Sequence, residues 1–175
     1  MSKPFESLAA FEAVVGVAPP EDAEHLRATF VSRRLDPRHA EQAAEALRLR
    51  QFPDGLAYTG YLWDFLADKH VVSEEEVWRD LEPVSELYAM WDLHSSERIR
   101  TPDYFKFPKA TVLRTDSATL RRGLEYLPED LYIFDATCAW AAALTHEWVD
   151  DRRFCLWSGD RARIATADAS ETESP

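Results

Sequence analysis

At 175 residues, 46% of them hydrophobic and 30% charged, the chain suits one domain with a substantial core, and disorder over most of its length is excluded. A formal net charge of -12 disfavours nucleic-acid binding, which draws on Lys and Arg contacts to phosphate, and suits a basic protein partner instead. Two cysteines, no signal-type apolar run and no stretch long enough to span a bilayer argue against a disulfide framework and a membrane segment; the expectation is a cytoplasmic protein.

In chain order, Phe5, Leu8, Phe11, Val14 and Val15 fall at helical spacing before Gly16, which predicts a first helix over residues 4–15. A second is predicted from Pro20 to Leu35, with Glu21, Asp22 and Glu24 in the first turn, where the helix dipole favours acids. Asp36-Pro37 reads as an N-cap with proline in the first turn of a third helix, running from His39 to Arg50. The aromatic run Leu56 to Leu66 fits either a buried strand or a short helix. Ser73 and Glu76 have the residue types of a capping box and open a helix through Val77, Trp78 and Leu81.

Residues 86–94 alternate as a strand, with Leu87, Ala89, Trp91 and Leu93 on one face and Tyr88, Met90, Asp92 and His94 on the other. Ala110 to Arg114 is a further short strand, and Asp116 or Ser117 caps a helix carrying Leu120, Leu124 and Leu127. Leu131–Asp135, Trp140–Glu147 and Phe154–Trp157 complete an antiparallel meander. The fold class is α+β: an antiparallel sheet with flanking helices and an N-terminal helical segment. The expected organisation is a helical segment over 1–54, an α+β domain over 55–160 and a disordered tail over 161–175.

Glycine-rich phosphate loops, Cys-x-x-Cys, His-Glu-x-x-His and Gly-x-Ser-x-Gly are all missing from the sequence, so no metal site and no cofactor are expected. Two polar clusters remain. Asp92 and His94, two apart on one strand, share a face and could act as acid and base, or cap a turn. Asp135 closes a strand and suits bonding to the turn that follows. Unless a bulge intervenes, His146 shares a face with Trp140 while Glu147 shares the opposite face with Thr145, and Glu147 can ion-pair with Arg152 or Arg153. The aromatic set, Trp140 among it, is expected mostly in the core. Exposed members would mark a partner surface.

Leu131-Tyr-Ile-Phe-Asp135, Trp140 and Leu144-Thr-His-Glu147 together resemble the C-terminal hairpin of a group of small bacterial proteins of unknown function, some of them regarded as toxin-immunity proteins. Gly60-Tyr-Leu-Trp63 and Tyr88-Ala-Met-Trp-Asp92 are similar to upstream elements of that group, so the resemblance spans about residues 55–158. Together with the charge and the missing catalytic motifs it points to a non-enzymatic binding protein, an immunity-type inhibitor whose acidic surface covers a basic toxin; Asp92, His94, Asp135, Trp140 and Glu147 are the candidate binding residues. Small residues at Ala139 and Ala141 to Ala143 permit close approach of another element, such as the N-terminal helices. The alternatives are a metal-dependent or acid/base enzyme assembled from Asp92, His94, His146 and Glu147, and a homodimer with tryptophans at its interface.

Overall fold

Strands that are apolar on both parities need cover on both faces, and that requirement organises this fold. The computed structural model describes residues 3–39, 41, 61–92, 104–161 and 164. Among these, seven strands form one antiparallel sheet: β1 (Gly16–Val17), β2 (Lys69–Val72), β3 (Leu87–Trp91), β4 (Leu113–Thr115), β5 (Leu131–Phe134), β6 (Trp140–Val149) and β7 (Arg152–Gly159), in the spatial order β1-β4-β3-β5-β6-β7-β2. The protein is α+β, with β5, β6 and β7 forming the expected meander.

Side-chain parity sorts the core into two clusters. On one face Leu87, Ala89, Trp91, Leu131, Ile133 and Leu144 pack with α1 (Leu8–Glu12), α3 (Glu74–Leu81) and α4 (Ser117–Arg122) through Phe11, Trp78, Leu81 and Leu120. On the other, Met90, Tyr132, Phe134, Ala141 and Ala143 share a cluster with Ala23, Leu26 and Phe30 of α2 (Pro20–Arg34). The ring of Phe30 lies 5.6 Å from that of Tyr132 and 5.2 Å from that of Phe134. The small side chains of Ala141 and Ala143 thus belong to the cluster that includes α2, as expected for close approach of an N-terminal helix.

The helix ends follow the sequence. Ser73 and Glu76 form the full capping box of α3, each side chain accepting from the other's backbone N–H, and Asp116 caps α4 by accepting from Thr119 N at 2.8 Å. Each such cap is worth about 1 kcal/mol.

Several boundaries move. The first helix spans only Leu8–Glu12, because Gly16–Val17 pairs with Leu113–Arg114 as an edge strand and so cannot end a helix. The described residues before 40 do not form a segment apart from the sheet: β1 extends it and α2 covers one of its faces. At the other end Ile164 is 7% exposed in the first cluster, and Arg161 stands 3.3 Å from Asp80, so the packed chain continues past residue 160. Pro37–His39 forms a single 3-10 turn; apart from Glu41, the rest of the third expected helix lies outside the described residues, as do residues 56–60, and Leu62–Phe65 is a 3-10 turn.

Candidate functional site

Between β6 and β7 the ladder runs regularly from Trp140↔Gly159 to Leu144↔Cys155, then resumes at Trp148↔Arg153. Four residues on β6 therefore match two on β7, and the surplus pair makes a bulge at Thr145–Glu147. Thr145 is fully buried and donates its hydroxyl to Phe154 O at 2.7 Å. Arg153 donates Nε to Thr145 O at 2.7 Å and Nη2 to Glu129 O, so its guanidinium ties the bulge to the segment before β5.

The bulge overturns the parity expected for His146. Trp140 stays in the first cluster, stacked on Trp157 at 5.4 Å, whereas His146 turns to the other side, 4.9 Å from the Tyr61 ring and 6.4 Å from that of Trp63. There its Nδ1 lies 2.9 and 3.1 Å from the two carboxylate oxygens of Asp130, and its backbone N donates to Asp130 Oδ1 at 3.1 Å. The same oxygen accepts the Trp63 indole N–H at 3.2 Å. A carboxylate held on Nδ1 fixes the tautomer and ring orientation of a histidine, the arrangement that proton-transfer and metal-ligand histidines share. The His146 side chain is 31% exposed and that of Asp130 9%.

The network continues inward. Trp63 N donates to the Tyr132 hydroxyl at 2.9 Å, and that hydroxyl donates to Asp92 Oδ2 at 2.7 Å. Asp92 Oδ1 accepts from Leu62 N at 3.2 Å. Burial pushes the Asp92 carboxyl up to about 8, with the negative charge of Asp130 adding to the shift and the Tyr132 hydrogen bond opposing it. Burial likewise drives the Tyr132 phenol well above its ordinary range, with Asp92 and Asp130 adding to the rise.

The four residues of the enzyme alternative do not come together as a site among the described residues. Asp92 and His146 are the two ends of one network, but Asp92 is 4% exposed and closed off by its partners. Glu147 is exposed on the hairpin, joined to the bulge by its backbone N–H to Thr145 Oγ1 at 3.2 Å, and His94 lies outside the described residues. Among the described residues no group of three His, Cys, Asp or Glu is placed to hold a metal ion.

The candidate binding residues are corrected in the same way. Asp135 is spent on its own turn, accepting from Thr137 Oγ1 and from Ala139 N at 2.7 Å, and Trp140 is 2% exposed in the core. The exposed apolar residues nearby are instead Trp148 at 63% and Val149 at 58%, at the tip of the β6–β7 hairpin. Asp150 and Asp151 make the two-residue turn, both with positive φ (49° and 58°), a type I′ geometry that ordinarily selects Asn-Gly. Trp148 lies toward α3 and α4, beside Glu74, Glu75 and Arg121, and Val149 lies on the other face with Val71 and Phe154.

Comparison of the chain with protein-family models, with curated proteins and with solved structures found no match. Among the described residues no helix is long and apolar enough to cross a membrane.

Proposed function

We propose that the chain is a non-enzymatic binding protein, an immunity-type inhibitor, that presses the acidic tip of its β6–β7 hairpin against a basic bacterial toxin. The observation that carries this reading is the tip itself. Two adjacent aspartates occupy left-handed backbone where Asn-Gly would be more stable, and they stand between an exposed tryptophan and exposed valine on one side and Arg152 on the other. Like charges side by side in a strained turn weaken the hairpin, so their benefit lies outside the fold. A tryptophan ringed by polar residues is the composition of an interface hot spot, and the net charge of -12 speeds encounter with a basic surface.

The test looks for a basic toxin domain encoded beside this chain's gene, whose absence counts against the proposal, and uses that domain. Wild-type protein is expected to rescue growth when co-expressed with that toxin and to bind it with an affinity that falls as salt rises. Trp148→Ala is expected to weaken binding at least tenfold, a loss of about 1.4 kcal/mol or more. The pair Asp150→Asn and Asp151→Gly is expected to raise Tm while weakening binding and flattening its salt dependence. Absence of rescue, or unchanged affinity in both variants, refutes the proposal.

A further inference from the structure

β2 stands at one end of the sheet. Among the described residues its one strand partner is β7, and Lys69, His70 and Val71 are exposed, Val71 at 65%. In antiparallel ladders a residue's N–H and C=O point to the same side, and that side alternates along the strand. Ala18 donates its N–H to Val112 O at 2.9 Å. Carried from there through the registers of β4, β3, β5, β6 and β7, the alternation gives His70 and Val72 the bonds to β7. The N–H and C=O of Lys69 and Val71 therefore point out of the sheet, where no described strand takes them.

An open edge pairs with other strands unless proline, a bulge or a charge guards it. β2 holds no proline, its register on β7 is continuous, and its lysine is turned back, Nζ donating to Trp63 O at 3.1 Å and to Asp64 O. The groups on either side of the open stretch are already bonded. Ala67 N–H donates to Arg34 O at 2.7 Å, and Ser73 N–H to Glu76 Oε2 at 2.8 Å.

We propose that a second copy of this chain pairs with this edge, β2 against β2 in antiparallel order about a two-fold axis through His70. Lys69 of each copy then exchanges backbone hydrogen bonds with Val71 of the other, and the two His70 residues face each other in the non-hydrogen-bonded pair between them. The committed neighbours select this register. An axis through Lys69 would set Val71 against Ala67, and one through Val71 would set Lys69 against Ser73, each with its N–H already spent. A second copy is the occupant because the stretch is its own antiparallel complement and its side chains carry no acid, so copies of net charge -12 repel each other least here. Pairing also covers Val71, which lies beside Val149 and Phe154. The two hairpin tips stay uncovered and point to opposite ends of the joined sheet, so the inference stands whether or not the tip binds a toxin.

The experiment is sedimentation equilibrium of the full chain from about 5 to about 500 µM. A monomer–dimer equilibrium without larger species is expected, strengthening as salt screens the like charges, which is opposite to the salt effect expected at the hairpin tip. Val71→Pro removes an outward N–H and no bond to β7, and is expected to abolish the dimer with little change in Tm. If that variant fails to fold, His70→Glu decides: it sets two carboxylates opposite each other at an exposed position and is expected to weaken the dimer at least tenfold. Mild oxidation is expected to crosslink the His70→Cys variant into a covalent dimer faster than Val71→Cys, whose two copies are offset along the strands. A monomer at every concentration, open-ended oligomers, a dimer that weakens as salt rises or survives these substitutions, or faster crosslinking through Val71→Cys overturns the proposal.

Discussion

Asp92→Asn should change how the stability of this protein depends on pH. An acid whose pKa is raised by folding binds its proton more tightly in the native state, so its contribution is fully favourable below the unfolded pKa of about 3.9 and is lost as pH rises toward the folded value. For Asp92 that value is about 8, so the loss runs from about pH 4 to pH 8. One proton difference gives a slope of about 1.4 kcal/mol per pH unit, or roughly 3 kcal/mol between pH 5 and pH 7. Asparagine mimics the protonated carboxyl in shape and neutrality and has no proton to lose. Urea unfolding followed by tryptophan fluorescence at pH 5, 6 and 7 measures both proteins. Wild type should lose roughly 3 kcal/mol relative to Asp92→Asn over that interval. The depressed pKa values of Asp36, Glu76 and Asp116 place their effects below this window, and both proteins share them. If the two stability curves run parallel from pH 5 to pH 7, Asp92 is ionised in the fold and the reasoning fails.

Asp130→Ala removes the acceptor of the Trp63 indole, the His146 backbone N–H and His146 Nδ1 together, and should cost about 2–4 kcal/mol in urea unfolding; a loss below about 1 kcal/mol would show that water replaces the carboxylate without penalty. Gly123→Ala would set a methyl group onto the Phe11 ring, itself fully buried, and should cost about 1–3 kcal/mol, read from Tm and urea midpoint; no change in either would mean that α1 moves aside freely.

The sheet was legible because its strands keep strict parity. Leu87, Ala89 and Trp91 face one cluster and Met90 the other, as alternation required, and Ser73, Glu76 and Asp116 announce their helices by side-chain chemistry that acts within four residues. What failed is long-range. Asp130 sits in a loop before β5 with no periodic signal, and its partner His146 is 16 residues away across the meander. The alternation that assigned His146 to the face of Trp140 holds only while a strand is regular, and nothing in Thr-His-Glu marks two surplus residues. Trp148 drew no expectation of its own, because exposure at a hairpin tip depends on where β5 begins beside β6. Arg27 reads as an ordinary surface arginine of an amphipathic helix until the carbonyls of residues 109–111 close around it.

The surplus in β6 is even, and side-chain direction has a period of two. Leu144 and Trp148 therefore keep the same side of the ribbon although the ladder is interrupted between them. A deletion of both surplus residues would dissolve the contact with Asp130 and leave Trp148 facing α3 and α4, whereas loss of a single residue would swap the sides of Trp148 and Val149. The bulge works as a reading-frame spacer: length changes here are silent for the tip in twos and disruptive in ones, so the tip and the histidine beneath it can diverge separately.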